Sequence, residues 1–182
     1  LHVIGNHEAD DSGNGAVAVK STFGIPADWY SVERGDVYIA VLNHTSDKDS
    51  LQRFADWLVE DAAKSTCMWK VLSIHQPPYY TNVNGGSERF HEQIPAAAEA
   101  AGIDVVFSGH DHSYARIMAK DGEPVTENGV TYFICGDLGE KSKNLNYAMT
   151  SDFSFAYKEQ AYDGLIMYVT ANGKEMTITA YD

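Results

Sequence analysis

Cysteine, basic residues and long apolar runs are all scarce in this sequence. Two cysteines, Cys67 and Cys135, occur in 182 residues, and both lie in or beside apolar runs, as buried free thiols do. Thirteen Lys and Arg oppose 26 Asp and Glu, so the formal charge of -13 repels a phosphodiester backbone. No apolar stretch approaches the roughly 20 residues of a membrane helix, and no signal-peptide pattern opens the sequence. We therefore expect neither a nucleic acid nor a membrane as partner.

Length and composition favour one domain. Of the 182 residues, 44% are hydrophobic, which is enough to bury one full core. No linker, internal repeat or low-complexity tract divides the chain. The sequence therefore predicts a single domain over residues 1–182.

Hydrophobic periodicity predicts a mixed α/β order. Strands and helices alternate first, and the last third is mostly β and ends in a hairpin that turns at Asn172-Gly173. Asp10 to Gly24 is a polar, glycine-bearing stretch with no predicted element. The predicted strands are Leu1–Ile4, Trp29–Arg34, Val37–Leu42, Val71–Ile74, Ile103–Phe107, Ala115–Ala119, Val130–Cys135, Gly164–Thr170 and Glu175–Tyr181. The predicted helices carry Leu51, Phe54, Leu58 and Ala62, after a cap at Ser46 or Asp47, and Phe90, Ile94, Ala97 and Ala101.

Three histidine motifs each follow a predicted strand. They are Gly5-Asn6-His7-Glu8, the single His75, and Gly109-His110-Asp111-His112. Because α/β sheets place their sites at the carboxyl ends of strands, these side chains are expected to converge. Amide oxygen and imidazole suit zinc, iron or manganese better than calcium. The pattern therefore predicts a transition-metal site.

The chemistry of the motifs suggests a role for each residue. In this interpretation Asn6, His75 and His110 share one metal, and His112 points at a second one. Residues two apart in an extended segment face opposite sides, so the loop must turn between His110 and His112, and Gly109 supplies the freedom for that turn. His7 points past the metal toward substrate, where an imidazole binds a phosphate oxygen or protonates a leaving group. The remaining histidines, His2, His44 and His91, are interpreted as ordinary polar residues.

Together the motifs resemble those of the calcineurin-like metallophosphoesterases, and most of all those of the purple acid phosphatases. The family's GNHE, H-x-P-x-Y and GHxH-x-Y-x-R patterns are matched by residues 5–8, 75–79 and 109–116, the last reading GHDHSYAR. Further similar segments include Trp29-Tyr30-Ser31 and residues 132–137. The resemblance therefore covers nearly the whole chain.

The resemblance implies an α/β (α+β) fold in which two packed β-sheets are flanked by helices. It implies a hydrolase that cleaves phosphate monoesters of small molecules with a metal-activated water. The full domain would hold two transition metals drawn from iron, zinc and manganese. By position, Asn6, His75 and His110 would bind one metal, His112 the other, and His7 would serve the substrate, while Tyr79, Tyr114 and Arg116 would support the site or contact substrate. Many members of the family are secreted.

Departures from the family pattern limit this expectation. Two earlier family motifs, one of which carries the aspartate that bridges the metals, are not found, and Gly136-Asp137 follows GHDH instead of preceding it. We therefore expect a catalytic domain incomplete at its N-terminus, at most one metal in this chain, and weak activity or none. An exposed sheet edge would then favour a homodimer. Two other functions remain as alternatives, a non-catalytic binding or scaffold domain and a phosphodiesterase.

Overall fold

The fold is a mixed α/β arrangement built on one large sheet. The computed structural model describes residues 1–9, 14–44, 47–81, 88–136, 157–159 and 165–181. The helices are α1 (Asn14–Phe23), α2 (Lys48–Ala62) and α3 (Glu88–Ala101). The strands are β1 (Trp29–Arg34), β2 (Val37–Leu42), β3 (Trp69–Ile74), β4 (Val105–Ser108), β5 (Tyr114–Lys120), β6 (Glu123–Pro124), β7 (Val130–Cys135), β8 (Tyr157–Glu159), β9 (Ile166–Asn172) and β10 (Glu175–Tyr181).

The large sheet has a parallel centre and antiparallel margins. Its order is β1-β2-β3-β4-β7-β5-β6, with β8 paired to β5. Strands β2, β3, β4 and β7 run parallel, whereas β1 forms the predicted antiparallel hairpin with β2. Parallel strands require covering layers on both faces, which this molecule supplies with helices on one side and a hairpin on the other.

Helices α2 and α3 cover one face of the sheet. The predicted apolar stripe of α2, namely Leu51, Phe54, Leu58 and Ala62, is fully buried. The helix begins after Asp47, whose side chain accepts hydrogen bonds from the backbone N–H groups of residues 49 and 50. This cap satisfies two of the orphan donors of the first turn. The stripe packs on inward-facing strand residues such as Leu72 and Val106.

The β9–β10 hairpin covers the opposite face. Val71, Val105 and Phe133 point to this side, next in sequence to the helix-facing residues, as the alternation of a strand requires. Met167, Met176 and Ile178 of the hairpin pack against them. The second sheet is therefore two-stranded in the described part of the chain, and its turn consists of Gly173 and Lys174, one residue later than predicted.

Two features at the start of the chain differ from the sequence-based prediction. Residues 1–4 form no strand; Ile4 N donates to the Asn43 side chain at 2.9 Å, and its carbonyl accepts from His44 N at 2.8 Å. A pair of contacts to one loop replaces a hydrogen-bonded ladder, so the apolar run does not extend the sheet. Helix α1 lies within the stretch for which no element was predicted, because Ala16 and Ala18 favour a helix despite the polar flanks.

The two cysteines are free thiols, as the sequence analysis expected. Both Cys67 and Cys135 are free and partly buried, and burial raises the pKa of the Cys135 thiol to about 12. In the ranges given above, no helix is both long and apolar enough to cross a membrane.

Asn43 anchors the first residues of the chain, and its loss should be costly. The side chain is 2% exposed, accepts from Ile4 N and donates to Ala27 O at 2.8 Å. We expect Asn43→Ala to lower the free energy of unfolding by about 1–3 kcal/mol, because the buried N–H of Ile4 and the part-buried carbonyl of Ala27 lose their partner. Urea unfolding measures this loss. The control Asn172→Ala, at an exposed position of β9, should stay within about 0.5 kcal/mol of the parent, and equal losses in both variants would contradict the anchoring role.

Candidate metal site

The candidate site lies at the carboxyl edge of the parallel strands. Leu42 of β2 pairs with Ile74 of β3, and Ser73 of β3 pairs with Phe107 of β4. The residues that follow these strands therefore leave the sheet at one edge. Gly109 N donates to His75 O at 3.0 Å, which ties the loop after β4 to the loop after β3.

Three side chains meet at this edge. Asn6 Oδ1 lies 2.8 Å from His75 Nε2 and 3.1 Å from His110 Nδ1, and the two ring nitrogens lie 3.1 Å apart. The imidazole rings are nearly perpendicular, at 81°, with centroids 5.0 Å apart. The structure thus brings together the three residues that the sequence analysis assigned to one metal.

Hydrogen bonds alone do not account for this triangle of donor atoms. An amide oxygen has no hydrogen to donate, and a neutral imidazole carries one on only one of its nitrogens. At most two hydrogens are thus available for three contacts, so at least one contact has none along it. Ligands placed at right angles roughly 2.1 Å from one metal ion lie about 3 Å apart, which matches the observed separations. The donor set therefore fits a metal ion bound by Asn6, His75 and His110.

His75 is held in the neutral form that a metal ligand needs. Burial, and after it the neighbouring imidazoles of His110, His44, His7 and His112, together lower the pKa of His75 from its ordinary value of 6.5 to about 3. Since only the deprotonated nitrogen binds a metal, His75 remains a competent ligand in acidic solution.

Gly5 lets the first motif approach His75 closely. Its N–H donates to Glu8 Oε2 at 2.9 Å, and Ala9 N closes the turn onto Gly5 O at 3.1 Å. A Cβ atom at position 5 would stand 2.9 Å from Glu8 Oε2 and 2.9 Å from His75 Cε1. Any other residue would push Asn6 and His75 apart, which gives the motif a physical requirement for glycine.

The loop of the last motif turns at its histidines and not at its glycine. His110 has φ 69° and His112 has φ 52°, whereas the φ of Gly109 is not positive. The expectation that Gly109 supplies the turn is therefore wrong. Both histidines thus have a positive φ, which is uncommon for residues other than glycine, and Asp111 between them is 2% exposed.

His112 stands apart from the three-residue cluster. Across the described ranges, no group of three or more His, Cys, Asp or Glu side chains gathers around one point. The convergent set consists of two imidazoles and one amide, and the charge of His112 lowers the pKa of His75. A second metal at His112 remains a prediction.

The other predicted site residues lie at different depths. His7 is exposed beside Asn6. Tyr79 is 1% exposed and packs against the rings of Tyr132 and His91, so it supports the loop after β3 from within the core. Tyr114 packs toward the hairpin face near Phe133, while Arg116 is exposed on β5.

The structure also places His44 next to this edge, where its charge lowers the pKa of His75, although the sequence analysis interpreted it as an ordinary polar residue. The parallel register of β2 and β3 aligns His44 with Gln76, directly after His75. Burial lowers the pKa of His44, and the Arg89 guanidinium lowers it further. His44 belongs to none of the three histidine motifs, so the strand register identifies its position.

Curated relatives of this chain are plant purple acid phosphatases. Purple acid phosphatase 22 of Arabidopsis thaliana is 31% identical over 118 residues, which cover 62% of this chain and 27% of the relative. Fe(3+)-Zn(2+) purple acid phosphatase 12 of Arabidopsis thaliana is 25% identical over 154 residues, covering 74% of this chain and 32% of the relative. The chain thus spans about a third or less of the length of the curated relatives that it matches.

A solved structure and a family model agree with these relatives. Purple acid phosphatase PPD1 from yellow lupin (Lupinus luteus) seeds superposes with a TM-score of 0.71 at 15% identity, covering 98% of this chain and 37% of that one. This similarity shows a metallophosphoesterase fold, as the motifs implied. The model of the calcineurin-like phosphoesterase family matches residues 1–114, a range that includes Asn6, His75 and His110. This chain therefore belongs to the calcineurin-like phosphoesterase family.

Proposed function

We propose that this chain forms part of a metal-dependent phosphatase that hydrolyses phosphate monoesters of small molecules. The observation that carries the proposal is the triangle of Asn6 Oδ1, His75 Nε2 and His110 Nδ1, whose sides are 2.8 to 3.1 Å long. Membership of the calcineurin-like phosphoesterase family supports a hydrolase, and the purple acid phosphatases among its relatives favour monoesters as substrates.

The residues of the site have different roles. Asn6, His75 and His110 would hold one ion. A metal ion supplies Lewis acidity toward a phosphoryl oxygen and activates water at neutral pH. His7, exposed beside Asn6, binds a phosphate oxygen or delivers a proton to the departing oxygen. A neutral His75 keeps the site able to bind metal in acid.

Zinc, iron or manganese fits the donor set, because imidazole and amide oxygen favour such ions over calcium. The name of Arabidopsis phosphatase 12 contains both iron and zinc, in agreement with this choice. We propose one ion per chain, held by Asn6, His75 and His110, since in the part of the chain that the structure describes no group of three or more His, Cys, Asp or Glu side chains offers a second site.

The proposal is tested with phosphate and two ester substrates. We expect inorganic phosphate to bind the zinc-loaded 182-residue chain, as measured by isothermal titration. Removal of the zinc with EDTA should abolish this binding. Any turnover of an aryl phosphate should be slow, should exceed that of the matched aryl phosphodiester, and should fall at least tenfold in His7→Ala. The exposed His2→Ala variant should match the parent.

Two results would overturn the proposal. Faster cleavage of the diester would favour a phosphodiesterase, a function that the charge of -13 disfavours. Metal-loaded protein that binds neither phosphate nor ester would favour a binding or scaffold domain.

The depressed pKa of His75 predicts that the metal-free protein loses stability in acid. Unfolded chains take up a proton on His75 below about pH 6.5, whereas the folded chain resists it down to about pH 3. Since the unfolded state binds more protons in that window, the free energy of unfolding falls as the pH falls from about 6.5 toward 3. One such group contributes at most about 1.4 kcal/mol per pH unit.

Urea unfolding in EDTA at pH 7 and pH 5 measures this slope. His75→Asn should flatten the pH dependence, and the exposed His2→Asn should leave it as in the parent. An unchanged slope in His75→Asn would show that His75 titrates alike in both states.

A further inference from the structure

The two histidines of the last motif adopt a backbone conformation that disfavours them. Asp111 N donates to Gly109 O at 2.8 Å across His110, which has φ 69°. A hydrogen bond from residue i+2 to residue i around a positive φ is the mark of the classic γ-turn, which is rare and strained. His112 is also left-handed, at φ 52°. Glycine would adopt both conformations freely, but a glycine has no imidazole to offer the site.

Such a conformation persists only where surrounding contacts impose it. Asp111, between the two histidines, is 2% exposed, and its Oδ2 accepts hydrogen bonds from Thr81 N and, at 3.1 Å, from Thr81 Oγ1. Thr81 is 5% exposed and belongs to the loop after His75. The carboxylate therefore ties the loop of His110 to the loop of His75.

Ser113 completes the connection on the other side of His112. Its Oγ lies 2.8 Å from Thr81 Oγ1, and its carbonyl accepts from Gly136 N at 2.8 Å, at the end of β7. Ser113 is 1% exposed. Both flanks of His112 are thus held by buried polar contacts, which are strong in low dielectric and costly to break.

We infer that Asp111, through its hydrogen bonds to Thr81, is a positioning residue that holds His110 and His112 in their left-handed conformations and so sets the metal site. This inference rests on the proposed function for its importance to catalysis. The claim that Asp111 holds the two histidines at positive φ does not depend on the proposed function. In this role Asp111 acts through the two histidines.

The first test compares zinc affinities of matched variants. We expect Asp111→Ala to weaken zinc binding at least tenfold, measured by competition with a chelator. The control Asp104→Ala removes another carboxylate that accepts a backbone N–H, from Lys70 at 2.7 Å, at the opposite end of β4, and should retain parental affinity. Urea unfolding of both variants separates general destabilisation from loss of the site.

Two substitutions at Thr81 form a second pair of matched variants, and both should keep the fold intact. Thr81→Ser retains the hydroxyl and should bind zinc like the parent, whereas Thr81→Val keeps the shape, loses the hydroxyl and should bind at least threefold more weakly. Equal zinc affinity in Thr81→Val and Thr81→Ser, together with parental affinity in Asp111→Ala, would overturn the inference.

A readout without metal separates this inference from the proposed function. Backbone chemical shifts and HN–Hα couplings of residues 110 and 112 in the metal-free parent should show left-handed φ, and Thr81→Val should shift both away from it. If the parent binds no zinc, the proposed function fails while these couplings still decide the inference. Left-handed φ retained at both histidines in Asp111→Ala and Thr81→Val contradicts it.

Discussion

Replacing His110 with alanine should weaken zinc binding by this chain at least about 100-fold. The variant removes one of three donor atoms that lie within 3.1 Å of one another. Loss of groups that merely orient a ligand costs about 10–100-fold in metal affinity, so loss of the ligand itself should cost at least about 100-fold. Isothermal titration of zinc, or competition with a chromophoric chelator, measures the change.

The comparison with His2→Ala makes the result specific. His2 is exposed and packs at an interplanar angle of 36° against Phe23, with ring centroids 4.3 Å apart. Its loss removes an imidazole of the same chain without changing a residue of the site. We expect this variant to bind zinc as the parent does. Parental affinity in His110→Ala would place the zinc elsewhere and remove the basis of the proposed site.

Adding a single methyl group at Gly5 should weaken zinc binding at least tenfold. The new Cβ would stand 2.9 Å from His75 Cε1 and 3.0 Å from His75 Nδ1, closer than carbon atoms pack. Either the ring or the turn that carries Asn6 must move, and the distance of 2.8 Å between Asn6 Oδ1 and His75 Nε2 is lost. Because all three ligand side chains remain, a weaker affinity for zinc would result from their changed positions alone.

Gly109 offers a matched control against the same imidazole. A Cβ there would lie 3.8 Å from His75 Nδ1, an ordinary contact, so Gly109→Ala should bind zinc within a few-fold of the parent. Both affinities come from the same zinc titration, with circular dichroism to verify the fold. Equal affinities for the two alanine variants would show that close packing at Gly5 does not shape the site.

Several features of the fold follow from local sequence patterns. The stripe of Leu51, Phe54 and Leu58 predicted the buried face of α2, and Asp47 begins that helix as a cap residue should. The alternation in Trp29–Arg34 and Val37–Leu42, with a turn between them, predicted the β1–β2 hairpin. These patterns succeed because each depends on contacts between residues that are near in sequence.

Features that depend on distant contacts were not predictable in this way. Leu1–Ile4 has the composition of a strand, but Asn43, 39 residues away, occupies the backbone N–H of Ile4. His44 reaches the site through the parallel register of β2 and β3. No local pattern encodes either contact.

The candidate site also combines features that local sequence patterns predict with features that depend on distant contacts. The order of the motifs predicted that Asn6, His75 and His110 lie together. The shared carboxyl edge of parallel strands explains His75 and His110, whereas Asn6 reaches that edge without a preceding strand. The backbone of the last motif was assigned to the wrong residue, because glycine is the usual left-handed residue and the buried contacts of Asp111 with Thr81 override that preference. Tertiary hydrogen bonds decide the conformation there.

The most direct test of the account is the zinc coordination shell of the 182-residue chain, measured by X-ray absorption at the zinc edge with one equivalent bound. We predict two imidazole nitrogens at roughly 2.0–2.1 Å, one fewer imidazole in His110→Ala, and an unchanged shell in His112→Ala. A shell without imidazoles, or one that His112→Ala alters while His110→Ala does not, would contradict the site formed by Asn6, His75 and His110.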